Sequence, residues 1–327
     1  MSFLLYRRPG GLVFLDDDRD CLEMLGEVMP ADWYIRLLLR PIACIDLLQQ
    51  EIASREADAW AQQEIVNRWH EGALLIPQIL QYWRADGAAR FALTQVAVVD
   101  YAMPAMSGLR VLGELTRWPG ARILLTGRVD EQLAVSAFNR GLINQFISKQ
   151  SPDIRLRLTT AIQDLRQHPD QRHQQIWCAT LSPAQHALLC EPLMAQSLED
   201  LMRRQGWIEH VVIGAPFGVL ALNAQGGVQW LQLEYAENLQ EMAEMALSQG
   251  WDAATAQDIR TGKKLIDLQL QLALGDSHQP QASASFAIAD AGLYAALFAV
   301  GEPFSPGLAS SYEQFLTQQG ERRLQED

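Results

Sequence analysis

The chain has 327 residues, of which 49% are hydrophobic, so it is long enough for two domains with substantial cores. Its formal net charge of −13 argues against a large nucleic-acid interface, because phosphate backbones are bound by basic surfaces. The four cysteines form no CxxC pair, and there is neither a signal peptide nor a run of eighteen apolar residues, so we expect a cytoplasmic protein with no membrane segment.

Five short apolar runs in the first half predict strands of a parallel sheet. They lie at 12–15, 33–39, 96–99, 123–125 and 146–147. Runs without polar alternation are typical of strands that are covered by helices on both faces. Helices are predicted between and after these strands, at 20–29, from 41 onward, and at 109–118, 130–138 and 153–167.

Polar side chains stand where these predicted strands end. Asp16 and Asp17 follow the first strand, Asp100 ends the third, Thr126 ends the fourth, and Lys149 comes shortly after the fifth. Because the ligand site of an open α/β sheet lies beyond the carboxyl ends of its strands, we expect these groups to share one edge. Three neighbouring carboxylates need a counter-charge, and an oxygen-rich cluster of this kind suits Mg²⁺.

This set of residues resembles the receiver domain of bacterial two-component response regulators. Met103-Pro104 and Met106-Ser107-Gly108, which come after Asp100, add to the resemblance. It covers about the first half of the chain and implies an α/β fold, a doubly wound five-stranded parallel sheet of CheY-like order 2-1-3-4-5. The expected partner is a sensor histidine kinase or a phosphotransfer protein.

The resemblance also implies a role for each residue of the set. Asp100 is the expected phosphoacceptor, and Thr126 and Lys149 are expected to contact the phosphoryl oxygens. Thr126 and Phe146 are the expected switch residues. The implied Mg²⁺ ligands are Asp16, Asp17, Asp100 and the backbone carbonyl of Ala102.

The chain departs from the family pattern in two places. Gln150 comes directly after Lys149 where the family has proline, so the cis peptide typical of that loop is not expected. Roughly thirty residues also look inserted between the first and third strands, judged by ordinary element lengths. We interpret residues 50–90 as a helical insertion.

Three tryptophans, Trp60, Trp69 and Trp83, fall in this insertion. Packing within the helical insertion and on the sheet is the favoured interpretation, since a tryptophan on an apolar helical stripe usually belongs to a core. The alternative is a docking face for a downstream protein or a second copy of the chain, which would form a homodimer.

The domain organisation predicted is a receiver domain at 1–167, a polar linker at 168–180 and an output domain at 181–327. His168 and His173 lie in the linker, which we interpret as a solvated connector. The output domain is predicted to be α+β with antiparallel strands. Its expected helices are 183–190, 193–205, 236–248, 254–260 and 310–319. Its expected strands are a hairpin within 209–234, with Gly226-Gly227 as the turn, and further strands at 265–274 and 293–300.

The second half contains no catalytic, metal-binding or phosphate-loop motif. Its first two predicted helices match a helix-turn-helix only weakly, because the residues after them are typical of a strand rather than a recognition helix. The leading hypothesis is therefore a response regulator phosphorylated on Asp100, whose output domain binds a protein or senses a ligand and does not bind DNA. The receiver would catalyse only its own phosphoryl transfer. A phospho-regulated effector enzyme and a transcriptional regulator are the alternatives.

Overall fold

The computed structural model describes residues 2–85, 87–127, 131–168, 170–275, 279–288, 292–301, 304, 307, 311–319 and 324–325. The chain forms two compact units, each built from three separate segments. We call Gly10–Trp60, Ala88–His168 and Phe315–Asp327 the parallel unit, and Met1–Pro9, Ala61–Gly87 and Pro169–Gln314 the antiparallel unit. The boundaries predicted from sequence were instead contiguous, at 1–167 and 181–327.

The parallel unit contains the predicted parallel sheet. Its strands are β2 (Gly11–Leu15), β3 (Ile35–Leu38), β4 (Thr94–Asp100), β5 (Ala121–Thr126), β6 (Gln145–Ser148) and β13 (Leu324–Gln325). The order is β13-β3-β2-β4-β5-β6 and all pairings are parallel. The five strands from β3 to β6 confirm the predicted order 2-1-3-4-5. The sixth strand, β13, comes from the far end of the chain and was not predicted.

Helices cover both faces of this sheet and form its two hydrophobic cores. They are α1 (Arg19–Val28), the first part of α2 (Pro41–His70), α5 (Gly108–Glu114), α6 (Glu131–Asn139) and α7 (Ile154–Arg166). One core joins α1 and α7 to one sheet face, with Leu22 and Leu158 fully buried. The other joins α2 and α5 to the opposite face, with Leu48 and Leu112 fully buried. Consecutive residues of β4, such as Val98 and Val99, enter opposite cores, as expected for a strand buried on both faces.

The insertion consists mainly of helix α2, which is thirty residues long, followed by α3 (Leu75–Ala85) and the short α4 (Gly87–Ala92). Helix α2 begins in the parallel unit and ends in the antiparallel unit. Trp83 is fully buried, as core packing requires, but it belongs to the antiparallel unit; Trp60 is 64% exposed and Trp69 is partly exposed.

The antiparallel unit is built on a seven-stranded sheet of order β1-β7-β8-β9-β12-β11-β10. The strands are β1 (Tyr6–Arg7), β7 (Trp207–Gly214), β8 (Phe217–Asn223), β9 (Val228–Tyr235), β10 (Lys264–Ile266), β11 (Ala282–Ile288) and β12 (Leu293–Val300). The predicted hairpin is β8–β9, and Gly226 has φ +85° in its turn, a conformation that favours glycine. The α+β class with antiparallel strands is confirmed.

Among the described residues, helix α3 and several further helices belong wholly or partly to the antiparallel unit. The others are α8 (Gln171–Cys178), α9 (Pro183–Leu189), α10 (Pro192–Gln205), α11 (Leu239–Ser248), α12 (Ala253–Arg260), α13 (Leu268–Leu274) and α14 (Tyr312–Gln319), which runs on into the parallel unit. Among the helices in the part of the chain that the structure describes, none combines the length and apolarity needed to cross a membrane.

The segment predicted to be a linker, 168–180, is folded instead. It contains α8, which Asp170 caps by accepting a hydrogen bond from the Arg172 backbone N–H at 3.1 Å. Trp177 and His173 are almost completely buried, and the His173 ring stacks on Tyr6 at 5.0 Å. The polar composition of the segment reflects the outer face of one short helix, so the interpretation of a solvated connector was wrong.

The prediction of a strand at 265–274 was also wrong for most of these residues. Strand β10 stops at Ile266, and the alternating leucines and glutamines after it form helix α13. Leu270 and Leu274, four residues apart, are buried, whereas Leu272 is 67% exposed, which is the pattern of one helical face. Gly275 ends the helix in the left-handed conformation.

Two strands of the antiparallel sheet were missed by the sequence analysis. Strand β1 pairs with β7 through Tyr6 and Val211, so the first residues belong to the antiparallel unit although they were assigned to the receiver domain. Strand β11 pairs with β12, but its sequence ASASFAI is too weakly hydrophobic to indicate a strand.

Candidate functional site

The predicted polar groups lie at the carboxyl ends of β2, β4, β5 and β6, and strand register places them there. Leu15 is paired with Val99, Asp100 with Leu125, and Thr126 with Ser148, so each strand ends at the same level. Backbone hydrogen bonds extend this alignment past the strand ends: Asp16 N donates to Leu38 O at 3.2 Å and Lys149 N to Thr126 O at 2.7 Å.

Lys149 is the centre of the charged cluster. Its Nζ lies 2.5 Å from Asp16 Oδ2 and 2.8 Å from Asp100 Oδ1. Both carboxylates are buried, with 2% and 4% of their residue surfaces exposed, so the ammonium compensates charges that have lost most of their hydration. Asp17, which is exposed, completes a group of three carboxylates whose nearest oxygens lie within 4.8 Å of one another.

The pKa values of Asp100 and Lys149 are both shifted from their ordinary values. Burial raises the pKa of Asp100; the hydrogen bond from Lys149 opposes this, and the nearby Asp16 adds to it. Burial by itself would lower the pKa of Lys149, but the hydrogen bonds to Asp100 and Asp16 raise it above the usual lysine value. The lysine is therefore firmly cationic in this cluster.

The loop after Asp100 is held by short-range contacts that explain its glycine. Ala102 N donates to Asp100 Oδ2 at 2.9 Å, and Gly108 N donates to Tyr101 O at 3.0 Å. A Cβ on Gly108 would lie 2.1 Å from the Asp100 carbonyl oxygen. Only glycine permits helix α5 to start this close to the strand end, which accounts for the Met106-Ser107-Gly108 signature in physical terms.

Thr126 and Phe146, the predicted switch residues, lie on neighbouring strands. Thr126 is buried at the end of β5, beside β4. Phe146 is partly buried and packs against the core that contains Leu124 and Val99. The start of the predicted fourth helix at Asp130 lies outside the described residues.

The turn after Lys149 is closed without a proline. The Gln150 backbone N–H donates to the Ser148 hydroxyl at 3.2 Å, and the Ser151 backbone N–H donates to the Ser148 carbonyl at 3.1 Å. These bonds, together with the Lys149–Thr126 backbone bond, hold the lysine at the cluster although the family's proline is replaced.

One residue of the site was missed by the sequence analysis. Cys21, in the first turns of α1, is partly buried beside Asp16. Burial, reinforced by the Asp16 charge, raises the pKa of its thiol to about 12. The thiol is therefore protonated and can donate to Asp16. Its position five residues after Asp16 was the available signal.

The donor set fits a hard divalent cation. Three carboxylates around one ammonium leave an excess of negative charge, and Mg²⁺ is bound in proteins through one or two carboxylates plus water and phosphate oxygens. Asp16, Asp17 and Asp100 are the groups that would hold it.

A solved structure with a similar fold extends over nearly the full length of the chain. The response regulator LqsR of Legionella pneumophila superposes with a TM-score of 0.70 at 24% sequence identity, covering 97% of this chain and 97% of LqsR. The receiver domain of RstA from Klebsiella pneumoniae covers 49% of this chain and 100% of its own length, at 14% identity and a TM-score of 0.32.

The signal receiver domain of an HD domain-containing protein from Pseudomonas fluorescens Pf-5 covers 52% of this chain and 92% of its own length, at 17% identity and a TM-score of 0.33. No family model and no curated protein matches the chain. The strand order of the parallel unit and the superposition on LqsR together show that the N-terminal half of this chain contains a domain with the fold of a response-regulator receiver domain.

Proposed function

We propose that this protein is a two-component response regulator that is phosphorylated on Asp100. The observation that carries the proposal is the pair of contacts from Lys149 Nζ to Asp16 and Asp100, at 2.5 and 2.8 Å, within a group of three carboxylates at the carboxyl edge of the sheet. Phosphoryl transfer asks a protein mainly for positioning and for compensation of spread negative charge, and this cluster supplies both.

In the proposed reaction an oxygen of the Asp100 carboxylate attacks phosphorus. The bond from phosphorus to the donor breaks, and its electron pair leaves with the donor, a phosphohistidine imidazole of a sensor histidine kinase or phosphotransfer protein. Lys149 compensates the charge on the transferring group, and the Thr126 hydroxyl donates to one of its oxygens. Asp16, Asp17, Asp100 and the Ala102 carbonyl would hold a Mg²⁺ ion, which would supply further charge stabilisation.

The phosphorylated state changes the local charge at the edge of the sheet. A phosphoryl group adds about −1.5 to −2 charges and three acceptor oxygens. We propose that Thr126 moves toward these oxygens and that Phe146 moves with it, so the surface formed by β5, β6 and α6 has two states. The antiparallel unit would act as the output, through a protein partner or a ligand.

The test is acetyl phosphate with Mg²⁺ on the full chain, read by intact-mass spectrometry. The wild type should gain one phosphoryl group that is lost in base, as expected for an acyl phosphate. Asp100→Asn should gain none, while Asp164→Asn, an exposed residue of α7, should behave as the wild type. Labelling that persists in Asp100→Asn would remove the assignment.

A further inference from the structure

A cleft of about 620 Å³ lies entirely within the antiparallel unit, whereas Asp100 belongs to the parallel unit. Its walls come from the α2–α3 connection, the β7–β8 turn, the end of β9 and helix α13. The volume falls in the range of small-molecule sites. Nothing in the proposed phosphorylation chemistry uses this cleft.

Aromatic and aliphatic side chains form most of its surface. The rings of Phe217 and Tyr235 stack with centroids 6.1 Å apart, and Trp69 at the end of α2 contributes a third ring. Leu74 and Leu272 line the cleft and are 46% and 67% exposed. This wall can bury the apolar body of a ligand, and its ring faces attract positive charge.

Among the described residues that line the cleft, Glu234 supplies the single carboxylate, and there is no lysine, arginine or histidine. Glu234 is only 5% exposed. Its Oε1 accepts hydrogen bonds from Asn238 Nδ2 at 2.6 Å and from Tyr235 N at 3.1 Å. Within the described part of the chain, no residue donates a hydrogen bond to Oε2. Oε2 is therefore available to accept a hydrogen bond from a group that enters the cleft.

We propose that the cleft binds a small organic ammonium ion, an amine on an apolar body, whose N–H groups donate to Glu234 while the body packs against the aromatic wall. An anionic ligand would meet a carboxylate and no basic group of the described lining, so the cleft disfavours it. Burial raises the pKa of Glu234; the hydrogen bonds from Asn238 and Tyr235 oppose this and the Glu241 charge adds to it. A bound ammonium would favour the ionised carboxylate further. The overall charge of −13 adds long-range attraction for cations.

The first test compares three probes of similar shape on the full chain: phenethylammonium, the neutral 2-phenylethanol and the anionic 3-phenylpropanoate. Binding is measured by saturation-transfer NMR and by titration of tryptophan fluorescence. The ammonium should bind about tenfold or more tightly than the alcohol, and the carboxylate should not bind measurably. Equal binding of the ammonium and the alcohol, or preference for the carboxylate, would overturn the proposal.

The second test locates the interaction with matched variants. Glu234→Gln keeps the shape and the acceptor for Asn238, and it should weaken phenethylammonium binding about tenfold without affecting 2-phenylethanol. Glu241→Gln removes an exposed charge on neighbouring α11 that does not line the cleft, and it should change binding by about twofold at most. If Glu241→Gln weakens binding as much as Glu234→Gln, the effect is only long-range charge and the proposed contact is wrong.

A third pair of variants does not depend on a buried position. Leu272 is exposed at the mouth of the cleft, so Leu272→Lys and Leu272→Glu should both fold. Leu272→Lys should weaken ammonium binding, and Leu272→Glu should preserve or strengthen it. The same response to both substitutions would contradict the proposed charge preference. Because these readouts do not involve phosphorylation, their failure would leave the assignment of Asp100 unaffected.

Discussion

The two units differ in what brings the residues of their candidate sites together. At the carboxyl edge of the parallel sheet, each charged group comes at or just after a strand end, and strand register alone brings Asp16, Asp100 and Lys149 together. The cleft of the antiparallel unit is assembled from a helix connection, a turn, the end of β9 and helix α13, which no shared sheet edge aligns. Proximity that results from strand order is visible in a sequence, whereas proximity that results from tertiary packing is not.

The strongest test of this contrast compares two tryptophans of the insertion. Trp83 is fully buried in the antiparallel unit and Trp60 is 64% exposed. Trp83→Ala should lower the free energy of unfolding by about 4 kcal/mol, because it removes a large buried side chain and leaves a cavity. Trp60→Ala should change it by about 0.5 kcal/mol or less. Urea unfolding of both variants measures this, and similar losses would mean that residues 61–87 are not part of the antiparallel core.

The next test probes the close approach of helix α5 to the end of strand β4. Gly108→Ala should destabilise the protein by about 3 kcal/mol, because the new Cβ would lie 2.1 Å from the Asp100 carbonyl oxygen and the start of α5 must shift. Gly113→Ala, in the same helix with nothing within 4 Å of its Cβ, should stabilise by up to about 1 kcal/mol. Thermal unfolding distinguishes the two signs. Stabilisation by Gly108→Ala would show that the close approach does not exist.

A pH experiment tests whether the first residues belong to the antiparallel unit. His210 is buried, stacks on Phe3 at 4.9 Å and donates through Nε2 to Leu4 O at 2.8 Å. Burial lowers the pKa of its imidazole to about 4; the hydrogen bond to Leu4 opposes this and the Arg7 charge adds to it. The unfolded chain binds the proton near its ordinary pKa of about 6.5. Stability from this residue is therefore complete above that value and lost as the pH falls toward 4.

The expected loss between pH 7.5 and pH 5 is about 2 kcal/mol for this residue. His210→Gln should unfold with a correspondingly weaker pH dependence than the wild type, measured in urea at both pH values. The carboxylates titrate in both proteins, so the difference between them isolates the histidine. An unchanged pH dependence would contradict its burial as a neutral group.

The smallest effect is expected in the second half of helix α2. Trp177 Nε1 donates to Gln62 Oε1 at 2.7 Å, and both residues are buried. Gln62→Leu should destabilise by about 1–2 kcal/mol, because it leaves the indole N–H without its acceptor. Gln63→Leu, at a partly exposed neighbouring position, should have little effect. Equal effects in urea unfolding would show that this hydrogen bond does not tie α2 to α8.

The sequence was sufficient for the parallel sheet because its strands are short apolar runs bounded by polar or turn residues. Strand order, the edge that holds the charged groups and the excess residues between Asp17 and Asp100 were all predicted. The strand β13 was not, because only tertiary packing brings Leu324 and Gln325 to β3.

In the antiparallel unit, local patterns were ambiguous or misleading. Alternation in the segment of α13 has the period of a strand, yet burial of Leu270 and Leu274 selected a helix. The polar composition around His173 concealed a packed helix. The cleft around Glu234 left no motif, because its residues come from several separate elements of the chain.

The interleaving of the two units has a consequence for how the chain matures during synthesis. Strand β1 is made before its partner β7 by about two hundred residues, and β3 is made before its partner β13 by roughly 290 residues. In each unit, the segments that complete the sheet are therefore synthesised only after segments of the other unit. Until then, an open strand edge can pair with another chain. A break between residues 167 and 181 would accordingly yield two incomplete fragments.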